Sequence, residues 1–183
     1  MQAWCQQVTG DTRGWVERAV IGLNLCPFAK SVHLKGQIHY AVSKATAPRR
    51  LLEDLRRELD ELMALDPVQR ETTLLIAPLC LQNFFEFNRF LGRADRLIVD
   101  CGLVGEVQLA SFHPDYQFAD AEPADIANFT NRSPYPILQL LREASIERAA
   151  LTDAQAQAIY EANMETLRRL GPEAWAALGV GPS

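Results

Sequence analysis

The run TTLLIAP at residues 72–78 decides the fold class of this chain. It is short and rich in β-forming apolar residues, which is typical of a strand that is covered on both faces. Before it, APRRLLEDLRRELDELMAL (47–65) places its leucines on one face of a helix. After it, QNFFEFNRFLGRADRLIVDCG (82–102) repeats apolar residues at helical spacing and ends at a glycine. A buried strand between two amphipathic helices indicates an α/β fold.

Two further strands flank this unit. Ile38, Tyr40 and Val42 alternate with their neighbours, which predicts a half-buried strand, and GEVQLASFHP (105–114) is again strand-like. Strands that alternate with helices imply right-handed crossovers. We therefore expect a small, mostly parallel central sheet in the order strand–helix–strand–helix–strand.

The rest of the chain is predicted to be helical. One helix is expected at 11–25, capped by Asp11 or Thr12, and a second from Ser133-Pro134 to about residue 150. A third begins at Thr152 or Asp153 and runs to Leu170, before Gly171-Pro172. The whole chain, 1–183, is expected to be a single α/β domain with an N-terminal helix, extra C-terminal helices and flexible ends at about 1–10 and 179–183.

The composition limits the class of protein. Of the 183 residues, 48% are hydrophobic and 22% are charged, and the net charge of −5 argues against a nucleic-acid binder. No apolar run is long enough to cross a membrane, and the N-terminal residues lack the features of a signal peptide. The four cysteines have neither zinc spacing nor the density of a disulfide framework. We expect a cytoplasmic protein that binds neither nucleic acid nor membrane.

Polar side chains are concentrated in SFHPDYQFAD (111–120). His113 lies where the third strand ends, and ligands of parallel sheets bind at the carboxyl ends of strands. Asp115 is placed to orient its ring, and Pro114 keeps His113 extended. Against this, His113 shares a strand face with Val107 and Leu109. If that face is the core, His113 is a buried histidine with a structural role.

The segment NRSPYPILQLLRE (131–143) supplies candidate binding residues. Arginine beside a helix N-terminus is suited to an anion, although Pro134 and Pro136 remove two N–H donors from the predicted first turn. Ser133 would then cap the N–H of Tyr135. The candidate substrate-binding residues are Asn131, Arg132, Ser133, Arg142 and Glu143. The alternative for the charged ones is a salt bridge that locks the loop carrying His113 to this helix.

Cys26 follows the first predicted helix and is open to two interpretations. Helical spacing from Leu23 places it near the buried stripe, where it would be inert. In a loop with Lys30 and His33 nearby it would be a candidate nucleophile. For metal binding, His113, Asp115 and Asp120, with His33 or His39 as a further ligand, have a spacing that is common by chance and lack a second strong pair of ligands, so no metal site is assigned.

Three motifs in order, GLNLCPFA, SFHPDYQF and NRSPYPILQLLRE, resemble an uncharacterised bacterial family catalogued as domain of unknown function fourteen-fifteen. The resemblance covers roughly residues 11–170. That family often has a histidine where this chain has Gln139, so a mechanism that needs that histidine fails here. The resemblance implies a bacterial protein and no particular activity. It implies that the motif residues include Asn24, Cys26, Pro27, Phe28, His113, Pro114, Asn131, Arg132, Ser133, Pro134, Arg142 and Glu143.

These residues predict a small-molecule enzyme. His113 would be the general acid or base, Asp115 would orient it, Arg132 and Asn131 would hold an anionic substrate group, and Cys26 is the candidate nucleophile. The alternative is a non-catalytic domain that binds an anionic ligand or a protein partner, with motifs that mainly shape the fold. The sequence identifies no cofactor and no oligomeric state.

Overall fold

The computed structural model describes residues 2–148 and 153–183, so the predicted helix start at Thr152 and the end of the predicted helix near residue 150 lie outside the described residues. The chain forms, in order, α1 (Gln2–Trp15), a π-helical turn (Val16–Ile21), α2 (Ala29–Leu34), β1 (Ile38–Val42), α3 (Pro48–Ala64), β2 (Thr72–Ile76), α4 (Phe84–Asp100), β3 (Val107–Phe112), a 3₁₀ segment (Ile126–Asn131), β4 (Ile137–Arg142), α5 (Glu143–Arg148) and α6 (Asp153–Ala177).

The four strands form one mixed sheet in the order β1–β2–β4–β3. β1 runs parallel to β2, whereas β4 runs antiparallel to both β2 and β3. The predicted α/β class and the first three strands are confirmed, together with helices α3 and α4. The prediction of a mostly parallel sheet is wrong, because an antiparallel strand lies between β2 and β3.

The antiparallel strand is β4, which the sequence prediction assigned to a helix beginning at Ser133. The chain is instead extended to Arg142, and only Glu143–Arg148 is helical. Side chains on both faces of β4 are buried, since Ile137, Leu138 and Leu140 are at most 1% exposed. A strand covered on both faces loses the alternation that identifies strands, so its apolar run can be mistaken for part of a helix.

Two apolar layers cover the sheet. On one face, α3 and α4 pack their leucines and phenylalanines against Leu75, Leu138 and Leu140. On the other face, the helices at the two ends of the chain contribute Trp15, Val16, Leu167 and Trp175, which pack with Leu74, Ile76 and Ile137. Successive residues of a strand point to opposite faces, so the central strands contribute to both layers.

The N-terminal helix begins earlier than predicted. It starts at Gln2, and Asp11 lies within it and accepts a hydrogen bond from the Tyr135 hydroxyl at 2.7 Å, so neither predicted cap is used as one. The helix then widens into the π-helical turn. At the other end of the chain, the predicted break after Leu170 is confirmed by Gly171, whose φ of 77° interrupts α6.

Candidate functional site

His113 follows β3 directly and is completely buried, with 0% of its surface exposed. Its ring lies between two phenylalanines of α4, with ring centroids 5.3 Å from Phe84 and 5.0 Å from Phe87. Nδ1 accepts the backbone N–H of Asp115 at 3.0 Å, so the ring proton is on Nε2, which lies 3.0 Å from the Leu81 carbonyl and donates to it. Both ring nitrogens are therefore engaged by main-chain groups.

Burial is the main influence on the charge of this ring. It lowers the pKa of His113 below the ordinary 6.5, because a buried imidazolium loses its hydration, while the Leu81 carbonyl and the Asp115 carboxylate oppose that shift. The histidine is thus held neutral. The Asp115 side chain acts on the ring only as a nearby charge, and it is the Asp115 backbone that fixes the tautomer.

The hydrogen bond from His113 reaches a strained residue. Leu81 has a φ of 59°, a left-handed conformation that is rare for a side chain of this kind. It lies in the turn between β2 and α4, where the Gln82 side-chain amide also donates to the Pro78 carbonyl at 3.0 Å. His113 thereby connects the end of β3 to a strained turn that comes before α4.

Asn131 joins the 3₁₀ segment to the outer edge of β3. Its backbone carbonyl accepts the His113 N–H at 3.2 Å, and its side-chain amide donates to the Ser111 carbonyl at 3.4 Å. Burial raises the pKa of Tyr116, and a hydrogen bond to the Asn131 side chain opposes that rise. Asn131 therefore satisfies the last edge groups of the strand and holds the loop that follows it.

The guanidinium of Arg132 is likewise bound to the protein itself. Nε donates to the Tyr116 carbonyl at 3.2 Å and an Nη donates to the Pro123 carbonyl at 2.9 Å, while the group stacks 4.3 Å from the Phe129 ring centre. Burial lowers the pKa of Arg132, and the Asp115 charge opposes this. Arg132 thus holds the chain between β3 and the 3₁₀ segment in place, with a carboxylate already nearby.

The structure brings His113, Asp115, Asn131 and Arg132 together at the end of β3. Ser133 is next to them, but its hydroxyl donates to the Tyr135 carbonyl at 2.6 Å. The prediction that it caps a helix at the Tyr135 N–H is wrong, because no helix begins there.

Arg142 and Glu143 do not belong to this cluster, so the predicted pairing with the loop that carries His113 is wrong. The register pairs Arg142 with Val107, the first residue of β3, whereas His113 follows the last. Arg142 is buried and donates to the carbonyls of Leu62 and, at 2.7 Å, Leu65, which end α3. It satisfies carbonyls that a helix C-terminus leaves unpaired.

Cys26 lies in the loop between the π-helical turn and α2 and is partly exposed. The preceding Leu25 packs in the layer formed by the terminal helices, and its carbonyl accepts the Asn163 amide at 2.8 Å. The His113 ring lies in the opposite layer, against α4. Within residues 2–148 and 153–183, no hydrogen bond or ion pair joins Cys26 to His113 or Arg132.

The glycine and asparagine of the first motif have a conformational role. A Cβ on Gly22 would lie 2.3 Å from the Arg18 carbonyl oxygen, a distance that excludes any side chain without a backbone shift. Asn24 has a φ of 54°, which asparagine tolerates better than most residues. These two positions shape the exit from the π-helical turn.

A second polar cluster lies beside β1, where a cleft of about 300 Å³ is lined by Ile38, His39, Glu61 and Arg70, among others. Arg70, only 4% exposed, forms ion pairs with the buried Glu58 and, at 3.0 Å, with Glu61. Burial and the Arg70 charge lower the pKa of His39, against opposing effects of both glutamates. This cluster was not predicted from the sequence.

A signal for this cluster was present in the sequence. Glu58 occupies the stripe formed by Leu51, Leu55 and Leu62, where an acidic residue has to be neutralised on burial. Ligand atoms of His39, Glu58 and Glu61 all lie within 4.8 Å of one another. Arg70, however, already donates to both carboxylates and supplies the positive charge that a metal ion would bring.

Comparison with known proteins identifies the family. Residues 7–177 match the family described as Protein of unknown function (DUF1415). This chain belongs to that family. No curated protein and no solved structure matches it. The resemblance seen in the three motifs is thereby confirmed.

In this DUF1415 chain, two of the three motifs meet at the end of β3, and their polar groups bind mainly to main-chain atoms. Among the described residues, no helix has the length and apolar composition needed to cross a membrane. In the described ranges, the main-chain groups of the sheet that lack a hydrogen-bond partner lie on the two edge strands, β1 and β3.

Proposed function

We propose that this DUF1415 domain is a non-catalytic module that binds an extended segment of a partner protein along β1. The competing hypothesis, an enzyme with His113 as acid or base, needs a ring nitrogen that can reach a substrate. Both nitrogens of His113 instead hold main-chain groups at 3.0 Å in a fully buried position. Arg132 is similarly engaged, which disfavours the anion-binding hypothesis as well.

The observation that carries the proposal is the unpaired edge of β1. The Ser43 N–H donates to the Ile76 carbonyl and the Gln37 carbonyl accepts from β2, so the main-chain groups of odd-numbered residues face β2. Those of Ile38, Tyr40 and Val42 point away from the sheet. In the described part of the chain no hydrogen bond reaches them.

An unpaired edge is a template for another strand. An added segment gains main-chain hydrogen bonds, each with a net contribution of about 0.5–1.5 kcal/mol, and its alternate side chains select the sequence that binds. The cleft that includes Ile38 and His39 is where one such side chain would enter.

The charges of the cleft favour a basic side chain on the partner. The buried Glu58 is neutralised by Arg70 and by Arg57, whose guanidinium lies 3.6 Å from it. Glu61 is therefore the acidic side chain that lines the cleft, and the lowered pKa of His39 keeps that ring neutral near pH 7. The Glu61 side chain is 50% exposed, so one of its carboxylate oxygens can meet a lysine or arginine. The net charge of −5 on the whole chain also favours a partner with basic side chains.

The test begins with a library of random ten-residue peptides displayed on phage and selected against the purified protein. We expect selected peptides to contain a lysine or arginine within an apolar stretch, and to slow amide exchange at Ile38, Tyr40 and Val42. The Leu109 amide on the other edge strand is the internal control and should exchange at an unchanged rate.

Two variants complete this test. Ile38→Pro removes an outward N–H at the first strand position, where proline is tolerated, and should weaken binding about fivefold. Glu61→Gln should weaken it up to about fivefold, the range of an exposed ion pair. Failure to select any peptide, or peptides whose binding and amide exchange ignore β1, would refute the proposal.

A further inference from the structure

The other edge strand, β3, has a different pattern of satisfied and open main-chain groups. The Glu143 N–H donates to the Glu106 carbonyl, and the register pairs Phe112 with Ile137. The main-chain N–H and C=O groups of the even-numbered residues of β3 therefore point towards β4. The main-chain N–H and C=O groups of Val107, Leu109 and Ser111 point away from the sheet. This outer edge begins after a turn and ends where Asn131 covers it.

Partners within the chain satisfy only some of these outward groups. The Val107 N–H donates to the Leu103 carbonyl at 3.1 Å, and the Ser111 carbonyl accepts the Asn131 amide at 3.4 Å. Among the described residues, none binds the Val107 carbonyl, the Ser111 N–H or either main-chain group of Leu109. The open groups are thus two donors and two acceptors placed symmetrically about Leu109.

We infer that β3 pairs antiparallel with β3 of a second copy of this chain, about a two-fold axis at Leu109. In that register each Leu109 N–H donates to the Leu109 carbonyl of the other copy, and each Ser111 N–H donates to the opposite Val107 carbonyl. These four hydrogen bonds use every open group. The two outward groups that the pairing leaves aside, the Val107 N–H and the Ser111 carbonyl, already have partners within the chain.

The side chains of β3 are compatible with this pairing. Leu109 lies opposite its own copy, Val107 opposite Ser111 and Gln108 opposite Ala110, so no charged side chain faces a like charge across the axis. Leu109 is only partly buried in the single chain. The neighbouring turn and the end of α4 carry exposed apolar residues, with Val104 at 69% and Val99 at 52% exposure, that pairing would bring towards the second copy.

The first test is the mass of the purified protein in solution. Sedimentation equilibrium should give twice the chain mass of 20.5 kDa. Ser111→Pro removes the N–H that makes two of the four symmetric bonds and should weaken dimerisation roughly tenfold to a hundredfold. Ile38→Pro removes an N–H from the opposite edge and should leave the dimer unchanged. A monomer at 100 µM, about the highest practical concentration, would overturn the inference.

A crosslinking experiment tests the register without depending on the folding of Ser111→Pro. In a background whose four native cysteines are replaced by alanine, Leu109→Cys places the two thiols across the axis, where hydrogen-bonded pairs have Cα atoms about 5.5 Å apart. Mild oxidation should link the two copies. Gln108→Cys, one residue away, should not link, because its position opposes Ala110. The reverse result, or a dimer in which neither position links, would overturn the inference. Because this test concerns β3, its failure is separable from failure of peptide binding at β1.

Discussion

Replacing His113 by alanine separates the structural role of this residue from a catalytic one. The substitution removes two hydrogen bonds of 3.0 Å, to the Leu81 carbonyl and from the Asp115 N–H. At about 1 kcal/mol each, these account for roughly 2 kcal/mol. Loss of the ring contacts with Phe84 and Phe87 adds about 1–2 kcal/mol, because the vacated space lies in a fully packed layer. We expect His113→Ala to lower the free energy of unfolding by about 3–4 kcal/mol.

The measurement is urea unfolding followed by circular dichroism, supported by a thermal scan. For a chain of this size, 1 kcal/mol lowers Tm by about 2–4 °C, so the variant should melt roughly 10 °C below the wild type. His33→Ala is the matched control, because His33 makes a partly exposed contact of 3.4 Å with Glu17 and should change stability by less than about 1 kcal/mol. If His113→Ala is as stable as this control, the His113 ring does not stabilise the turn that contains Leu81. The hypothesis that His113 is a catalytic acid or base would then be favoured again.

Two further predictions concern other buried charges and titrating groups. Burial lowers the pKa of both His113 and His39 below 6.5, so at mildly acidic pH the unfolded chain binds more protons than the folded chain. The contribution of these two histidines to the free energy of unfolding is therefore complete above about pH 6.5 and is lost as the pH falls. Urea midpoints measured from pH 7.5 to 5 should therefore fall, and less so in His113→Gln; an equal fall in both proteins would contradict this. Glu58→Ala leaves Arg70 buried with only Glu61, so the free energy of unfolding should drop by about 3 kcal/mol in the same assay, against less than about 1 kcal/mol for Glu61→Ala. Similar losses in the two variants would show that Glu58 is not the principal partner.

The sequence predicted the helices and strands whose patterns are local. Apolar spacing located α3 and α4, and alternation or apolar runs located β1, β2 and β3. β4 could not be located in this way, because its extended form depends on neighbours distant in the chain. The Ala77 N–H, for example, donates to the Pro136 carbonyl at 2.9 Å where β4 joins β2. Pro136 itself favours an extended Tyr135, a signal that the expectation of a helix overrode.

The candidate site was predictable to a similar extent. From its position on β3, His113 could be either a catalytic residue at the strand end or a buried structural residue. The structure shows the buried position, because α4 covers the strand face that His113 shares with Val107 and Leu109. Its hydrogen-bond acceptor is Leu81, in a turn that no local pattern links to β3. The hydrogen-bond acceptors of Arg142 were equally unpredictable from local patterns, since they are carbonyls at the end of α3. Partners of this kind follow from the three-dimensional fold and cannot be read from residue spacing.

The topology explains why so many polar residues are needed at the end of β3. β3 and β4 are antiparallel neighbours that a hairpin loop of about 2–5 residues could join, but here the connection runs from His113 to Pro136 with only a 3₁₀ segment inside it. A long irregular connection gains few hydrogen bonds of its own, so its main-chain groups have to be satisfied by side chains. Arg132 does this along the loop, and Asn131 and His113 do it at the strand end. Because these polar side chains already bind main-chain groups of the loop and the strand end, the proposed binding of another polypeptide is assigned to the edge strands, where the described residues leave main-chain groups open.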